Sequence, residues 1–378
     1  MKIGIMTFWW SEDNYGQLLQ CFALQKYLRD AGHDAYLIRY DPKNDYIYIK
    51  TPLWRKILKA FNPVKLYKYI ISKKLEKDIK REKQNNPRGF EDFRNRHIKQ
   101  SEKIYSSYKE LVDNPPEADI YVVGSDQIWN TFGDPIDVAI NVIKAFLLDF
   151  GNPSIKRIAY AASFGKETLD ENSIQIFSNL LKKFDYISIR EESGIEICKK
   201  CGIDNAEWVS DPTMLLEADI YHTLYEDELI RKNNKPYCFF YLLGTEYNFS
   251  HQLVYDWAKK KNLEVIYVTG NFQLDKFKKM YMTIPEWIYL LEHSDYVISN
   301  SYHCSVFSLL FKKKFGVIPL VRNHIGCNTR LDSLFKLFQI EKRFIENDLS
   351  VLDKDIDWQS VSTGFQMIRN NCKLYDVI

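Results

Sequence analysis

The sequence predicts an α/β protein that consists of two doubly wound, Rossmann-like domains. Short apolar runs alternate with amphipathic segments from Lys2 to about Glu217, the pattern of parallel strands joined by helices. The same alternation begins again at residues 237–242 and continues through residues 263–268. With 378 residues, the chain is also long enough for two domains rather than one.

The domain boundaries follow from changes in this pattern. We place the amino-terminal domain at residues 1–225, with a basic helical insertion at 50–100, and the carboxy-terminal domain at residues 236–345. A polar stretch joins the two domains. The tail at residues 346–378 has weak periodicity, and we expect it to pack across both domains.

The chain opens with a strand from Lys2 to Thr7, a loop, and a helix from Gly16 to Ala31. This is a nucleotide-binding type of opening, but the Gly-x-Gly-x-x-Gly fingerprint of dinucleotide sites is absent. We expect Asn14, Tyr15 and Gly16 at the start of the helix to contact a sugar or a phosphate. The alternative is a tight turn that requires glycine for backbone reasons.

A second predicted strand, residues 120–123, is followed by Asp126, Gln127 and Trp129. Hydrogen-bonding groups beside an aromatic face suit a sugar, although Trp129 could equally belong to the core. Ser163 follows a third strand and has small neighbours. We interpret Ser163 either as a residue that a ligand approaches closely or as a residue with a packing role only.

Arg190 lies between the apolar run 186–189 and a predicted helix at residues 192–200. A strand that leads into a helix at the edge of a parallel sheet is a common position for ligand-binding groups. Arg190 is therefore a candidate cation for an anionic ligand. The alternative is an ion pair with a neighbouring glutamate.

The most informative stretch is residues 295–314, where an apolar strand leads into a hydroxyl-rich turn and then into an apolar helix. A helix start attracts anions, and His303 in the turn can transfer a proton near neutral pH. Cys304, beside it, is a candidate for a thiol with a lowered pKa. Alternatively, Ser301 is only a helix cap and His303 only a core histidine.

Six segments, in order, resemble those of the polysaccharide pyruvyl transferase family. Together they span roughly residues 3–338, and none is distinctive alone. They are Asn14-Tyr15-Gly16-Gln17-Leu18-Leu19-Gln20-Cys21-Phe22-Ala23-Leu24-Gln25, Gly124-Ser125-Asp126-Gln127-Ile128-Trp129-Asn130, Tyr160-Ala161-Ala162-Ser163-Phe164-Gly165, Ser188-Ile189-Arg190-Glu191-Glu192-Ser193-Gly194, Asp211-Pro212-Thr213, and Ser301-Tyr302-His303 with the eight residues that follow.

The resemblance implies a two-domain fold similar to that of the GT-B glycosyltransferases. It also implies transfer of pyruvate from phosphoenolpyruvate to two hydroxyls of one sugar, giving a ketal on a cell-surface polysaccharide or its lipid-linked precursor. The co-substrate is phosphoenolpyruvate, with no metal or other cofactor. His303 is the expected acid/base. The expected donor-binding residues are Arg190, Arg330, Ser301 and Ser305, and the expected acceptor-binding residues are Asn14, Tyr15, Gly16, Asp126, Gln127, Trp129 and Ser163.

One position departs from the family pattern. Well-studied branches have Arg-Leu-His where this chain has Ser301-Tyr302-His303, and a hydroxyl cannot replace the bidentate fork of an arginine. Arg330, at the start of the next predicted helix, is the candidate replacement. Two alternatives stay open: a glycosyltransferase that uses a nucleotide sugar, and a non-catalytic protein that binds carbohydrate or assists assembly.

The net charge is only +2, but residues 50–83 carry twelve basic and three acidic side chains. Apolar residues are interleaved with them, which is typical of a basic amphipathic helix on anionic lipid and equally of a solvated helical insertion. No signal peptide or long apolar run is present. We therefore expect a cytoplasmic protein. If the basic segment lies on anionic lipid, we also expect peripheral contact to the inner face of the membrane. No motif predicts a nucleic-acid partner.

Overall fold

The fold was examined in a computed structural model. It describes residues 1–46, 73, 77–78, 80–81, 84–85, 87–131, 134–230, 232–270, 275–346 and 348–378, and at 322–324 only the backbone. Strands and helices are numbered below along this described part of the chain. Two parallel sheets form the framework, one of seven strands and one of four.

The strands of the two sheets are β1 (Lys2–Met6), β2 (Asp34–Tyr40), β3 (Gln100–Tyr105), β4 (Ile120–Val123), β5 (Lys156–Ala162), β6 (Tyr186–Ile189) and β7 (Glu207–Trp208), then β8 (Tyr237–Leu242), β9 (Glu264–Thr269), β10 (Tyr296–Ser299) and β11 (Lys314–Val317). The α-helices are α1 (Tyr15–Asp30), α2 (Phe90–His97), α3 (Tyr108–Asp113), α4 (Ile140–Phe146), α5 (Glu171–Leu181), α6 (Glu192–Lys200), α7 (Ala218–His222), α8 (His251–Lys260), α9 (Ile284–Glu292), α10 (Tyr302–Leu310), α11 (Thr329–Leu337), α12 (Trp358–Asn370) and α13 (Leu374–Val377). Short 3₁₀ turns occur at Pro42–Asn44, Pro212–Met214, Arg322–Asn328 and Ser350–Asp353.

The predicted fold class is confirmed. The first sheet has the order β3-β2-β1-β4-β5-β6-β7, and the second has the order β11-β10-β8-β9. In each sheet the chain winds outward from a central strand in both directions, which defines a doubly wound, Rossmann-like unit. Two such units in one chain form a GT-B-like architecture. The strands of the two sheets come from residues 2–208 and 237–317, and the exact domain boundaries stay predictions.

The elements that position the site begin where the local sequence sets their caps. The side chain of Asn14 accepts a hydrogen bond from the backbone N–H of Gln17 and caps α1. Ser301 caps α10 in the same way, accepting from the N–H of Cys304. Both residues satisfy first-turn donors that a helix cannot pair internally. The two helix starts are therefore fixed at the carboxyl ends of β1 and β10.

One hydrophobic core joins helices of both units. Tyr15, from α1, stacks on Trp287, from α9, with ring centroids 5.4 Å apart. Phe307, from α10, meets the same tryptophan edge to face at 5.7 Å. The Tyr15 hydroxyl donates to the carbonyl of Met282 at 2.8 Å. Tyr15 thus belongs to the contact between the domains, and the structure gives no support to its predicted role in acceptor binding.

The carboxy-terminal helices pack against both units. Val361 and Phe365 of α12 enter the core that contains α9 and α10. Leu374 of α13 packs with Ile3 and Leu24 of the amino-terminal unit. The tail is therefore in contact with both halves of the chain.

The predicted basic segment at residues 50–83 lies mostly outside the described residues, so its interpretation stays a prediction. Among the helices that the structure describes, none combines the length and the apolar character needed to cross a bilayer.

Trp287 tests the importance of the shared core for stability. Because its side chain is fully buried between aromatic rings of both domains, we expect Trp287→Ala to lower the free energy of unfolding by about 3–5 kcal/mol. Chemical denaturation measures this loss. Leu253→Ala, at a side chain 42% exposed, is the control and should change stability by no more than about 0.5 kcal/mol. If Trp287→Ala lowered the free energy of unfolding no more than Leu253→Ala does, this would contradict a shared core.

Candidate active site

A cavity of about 400 Å³ lies where loops from both sheets meet. In the first sheet it adjoins the ends of β1 and β4, between which the direction of winding reverses. In the second sheet it adjoins the ends of β8 and β10, where the same reversal occurs. Such reversals open a crevice at the carboxyl ends of the strands, the usual ligand site of open α/β sheets.

The lining contains both apolar and polar residues. The apolar residues are Phe8, Trp10, Pro42, Tyr46, Ile128, Val142, Phe146, Leu243 and Leu320. The polar and charged ones are Asn14, Gln17, Asp126, Gln127, Asn130, Glu246, Asn300, Ser301, Tyr302, His303 and Arg330, with Gly244. Of the predicted site residues, the structure therefore brings together Asn14, Asp126, Gln127, Ser301, His303 and Arg330.

Asp211 lies behind this lining and is completely buried. Its Oδ1 accepts hydrogen bonds from the backbone N–H and the hydroxyl of Thr213, at 3.0 and 2.7 Å. Its Oδ2 accepts from the Ser125 hydroxyl at 3.0 Å. Burial alone would raise the pKa of Asp211, but His303 and Arg190 outweigh it and hold that pKa well below its usual value. Asp211 is thus a buried carboxylate anion.

Arg190 is the partner that balances this charge. Its Nη1 donates to Asp211 Oδ2 at 2.7 Å, and its Nη2 lies 3.4 Å from Asp126 Oδ1. Burial would lower the pKa of Arg190, but the two carboxylates raise it. The guanidinium is 0% exposed and is not on the cavity lining. Its fork binds carboxylates of the protein, so the structure gives no support to the prediction that Arg190 grips the donor.

His303 lies on the cavity lining, in the first turn of α10. Its Nε2 lies 3.4 Å from Asp211 Oδ2. On the opposite side the ring rests on Gly16, where an added Cβ would be 2.4 Å from His303 Cγ and Nδ1. Gly16 is therefore needed for close contact between α1 and α10, and the prediction that it binds the acceptor is not supported because it is not on the lining.

Arg330 supplies the positive charge of the cavity. Its Nε donates to the carbonyl of Cys327 at 3.2 Å. The amide of Gln127 is oriented with its oxygen towards Arg330. In this orientation the oxygen accepts hydrogen bonds from Nη1 and Nη2 of Arg330, both at 3.2 Å. Tyr302 lies between the two arginines, with its ring centroid 4.8 Å from Arg190 and 5.7 Å from Arg330. Among the described lining residues, Arg330 alone is a permanent cation.

Asn300 orders the loop that follows β8. Its side chain accepts from the N–H of Leu243 at 2.8 Å and donates to the Leu243 carbonyl at 2.7 Å. On the other side, Gln17 accepts from the N–H of Ser11 at 2.8 Å and so holds the loop after β1. Both loops are therefore fixed before a ligand arrives.

The structure gives no support to three further predictions, because the side chains turn inward. Trp129 is buried among Phe164 and Phe177 and donates to the Phe146 carbonyl. Ser163 is fully buried and donates to Glu191 at 3.0 Å. Ser305 is buried and donates to the Ser301 carbonyl at 3.2 Å within its own helix. None of the three side chains is on the cavity lining.

Cys304 does not have the lowered pKa that its position at a helix start suggested. The thiol is completely buried, and burial raises its pKa to about 12. A thiol protonated at neutral pH is a poor nucleophile. The structure therefore gives no support to Cys304 as a nucleophile.

Sequence reasoning missed Asp211 as a site residue, and with it Trp10 and Glu246. The signal for Asp211 was present, because Asp211-Pro212-Thr213 is one of the family segments. Trp10 follows β1, and Glu246 follows β8. That Trp10 and Glu246 line the cavity could have been predicted only with knowledge of which strands lie at the centres of the sheets.

The comparisons with known proteins identify a family. A family model described as polysaccharide pyruvyl transferase matches residues 14–320. That range includes every predicted site residue except Arg330, which lies ten residues beyond it. A comparison with curated proteins gives no match.

Solved structures match over nearly the whole chain at low identity. UDP-GlcNAc 2-epimerase from Neisseria meningitidis is 10% identical with a TM-score of 0.44, covering 98% of this chain and 99% of its own. MnaA from S. aureus is 12% identical with a TM-score of 0.48, covering 100% and 98%. The glycosyltransferase SnogD from Streptomyces nogalater is 10% identical with a TM-score of 0.37, covering 98% and 94%.

The buried ion pair predicts a non-additive pattern of stability. Because Arg190→Met leaves Asp211 buried without its main partner, we expect a loss of about 3–5 kcal/mol in the free energy of unfolding. Arg190→Met combined with Asp211→Leu should lose less than the sum of the single losses, since neither charge remains. Urea denaturation of the four proteins tests this.

Lys199→Met is the matched control, because Lys199 pairs with Glu196 at 2.8 Å on the surface. An exposed pair of this kind should change stability by less than about 1 kcal/mol. Strictly additive losses for Arg190 and Asp211 would show that the two residues do not stabilise each other.

The lowered pKa of Asp211 also predicts a dependence of stability on pH. Its stabilising contribution is complete above the pKa of an unfolded aspartate, about 3.9, and is lost as the pH falls towards the lowered pKa of the folded state. Between about pH 5 and about pH 3 the wild type should therefore lose stability more steeply than Asp211→Asn, by up to about 1.4 kcal/mol per pH unit. Urea denaturation across this range measures the two slopes, and equal slopes would contradict the assignment.

Proposed function

The chain belongs to the polysaccharide pyruvyl transferase family, and from that membership we propose that it transfers pyruvate from phosphoenolpyruvate to a sugar as a ketal. The sugar is part of a cell-surface polysaccharide or of its lipid-linked precursor. The observation that carries the proposal is the position of His303 and Arg330 on one cavity, an acid/base and a fixed cation between the two domains.

The donor needs a place for a carboxylate and a phosphate. Arg330 is on the cavity lining and offers two terminal nitrogens, whose shared contact with one neutral amide oxygen of Gln127 an anion would replace, because an arginine fork binds a carboxylate or a phosphate in a bidentate way. The starts of α1 and α10 also adjoin the cavity, through Asn14 and Ser301. Helix starts favour anions. These groups supply the positive potential that Ser301 alone cannot.

The first step is proton transfer to the donor. His303 as imidazolium gives a proton to the methylene carbon of phosphoenolpyruvate, and the adjacent carbon becomes electrophilic. One sugar hydroxyl adds to that carbon, and its proton returns to the neutral imidazole. Transfer of this kind by a positioned histidine contributes typically about 10²–10⁴-fold to a rate.

The second step replaces phosphate. The bond between the same carbon and the phosphate oxygen breaks, and the second hydroxyl of the sugar forms the second carbon–oxygen bond. The proton of that hydroxyl leaves with inorganic phosphate. The products are one pyruvate ketal and one phosphate for each phosphoenolpyruvate, and His303 ends in its starting state.

The acceptor sugar fits beside the aromatic residues of the cavity lining. Phe8 and Trp10 present aromatic surface there, with ring centroids 5.0 Å apart. Asp126 and Glu246 supply carboxylate oxygens that accept hydrogen bonds from hydroxyls. Aromatic surface beside acceptors suits a sugar ring, so Trp10 takes the role that the sequence assigned to Trp129.

Removing the fork of Arg330 tests donor binding. Calorimetric titration of the wild type should detect phosphoenolpyruvate, and Arg330→Ala should lose at least about tenfold in affinity, corresponding to about 1.4 kcal/mol. Arg330→Lys keeps the charge without the fork and should fall between the two. Arg29→Ala, exposed in the last turn of α1, is the control and should bind as the wild type does.

The same titration with nucleotide sugars separates the main alternative. Binding of a nucleotide sugar, with no binding of phosphoenolpyruvate, would replace the proposal with glycosyl transfer.

His303→Gln should retain phosphoenolpyruvate binding and lose phosphate release in the presence of an acceptor, because it removes the proton donor and retains a polar side chain. Phosphate release at the wild-type rate would remove His303 from the mechanism.

A further inference from the structure

We propose that Asp211 is a positioning residue for His303. It holds the imidazole with the Nε2–H directed at its carboxylate and leaves Nδ1 as the nitrogen that exchanges the proton with substrate. The kinetic part of this inference rests on the proposed function, whereas its structural part rests on the geometry of the buried site.

The first observation concerns the two ring nitrogens. A neutral imidazole carries its proton on one nitrogen and a lone pair on the other. Nε2 is buried, lies 3.4 Å from Asp211 Oδ2, and has no hydrogen-bond partner within the usual distance among the described residues. Hydrogen bonds of catalytic groups are commonly long without a ligand and tighten when substrate binds. The nearby carboxylate therefore selects the tautomer with the proton on Nε2.

The second observation concerns the rigidity of the carboxylate. Thr213 donates twice to Oδ1, and Ser125 and Arg190 donate to Oδ2. These bonds fix the plane of the carboxylate and keep Oδ2 directed towards His303. A charged acceptor also forms a stronger hydrogen bond than a neutral one. Asp211 can therefore stabilise the imidazolium that forms when His303 takes a proton.

The third observation concerns the space around the ring. Gly16 packs so closely that an added Cβ would lie 2.4 Å from Nδ1. Helix α1 therefore holds one side of the ring while Asp211 holds the other. Gln17, the next residue of α1, lines the cavity. Because His303 lines the same cavity as Gln17 and its Nε2 is the nitrogen beside Asp211, Nδ1 is the ring nitrogen left for substrate.

Nitrogen NMR tests the tautomer without any need for activity. In wild-type protein labelled with ¹⁵N-histidine, protonated and bare ring nitrogens give separate ¹⁵N signals, and His303→Gln assigns those of His303. Above the range in which imidazolium forms, we expect the proton on Nε2. A proton on Nδ1 would overturn the proposal. This result does not depend on whether the chain uses phosphoenolpyruvate.

Kinetics test the consequence for proton transfer. Asp211→Asn should lower kcat for phosphate release by at least about 10²-fold, while KM for phosphoenolpyruvate changes by less than about threefold, because the lost interaction acts in the transition state. Asp211→Glu, which restores the charge, should recover part of kcat. An unchanged kcat in Asp211→Asn would overturn the proposal.

Leu181→Ala separates positioning from general loss of stability. Leu181 is fully buried in α5, within a hydrophobic core of the amino-terminal unit, and its truncation should lower the midpoint of urea denaturation. It should retain the wild-type kcat and the wild-type ¹⁵N signals of His303. If it lowered kcat as much as Asp211→Asn does, the effect of Asp211 would be one of stability alone. Failure of the wild type to release phosphate would refute the proposed function and leave the NMR result intact.

Discussion

The structure of the site depends on one buried carboxylate. Asp211 accepts a hydrogen bond from Arg190 at the end of β6 and from Ser125 after β4, and it lies 3.4 Å from His303 at the start of α10. A charge with no exposure to solvent is tolerated only when it is paired and hydrogen-bonded. The need to neutralise Asp211 therefore fixes groups from both domains relative to each other.

This arrangement gives the two arginines different roles. Arg190 is entirely inside the protein and serves to hold the carboxylates of Asp211 and Asp126. Arg330 lies on the cavity with its terminal nitrogens near one amide oxygen. Tyr302 lies against both guanidinium groups and separates them. A cation that holds the framework and a cation that lines the cavity are thus adjacent but not interchangeable.

The sequence predicted the elements well and the directions of side chains poorly. The strands at residues 120–123, 186–189 and 237–242 have the predicted bounds, because their apolar runs are short and end at polar turns. His303 and Arg330 could be predicted because the start of a helix after a loop is visible locally. The burial of Arg190 against a carboxylate could not be predicted, since its partner Asp211 is 21 residues away and the contact depends on the order of strands.

At Asp126 the backbone has a φ of 73°, and beyond this turn Trp129 enters the core while Gln127 faces the cavity. Conformations of that kind leave no periodic signal in a sequence.

The most direct test of this account is a structure of the chain determined with phosphoenolpyruvate bound. The account predicts the donor in the cavity between the domains, with its carboxylate or phosphate on the fork of Arg330 and its methylene carbon within reach of His303 Nδ1. Arg190 should remain paired with Asp211 and make no contact with the donor. A donor bound directly by Arg190, or one whose methylene carbon lies far from His303, would contradict the account.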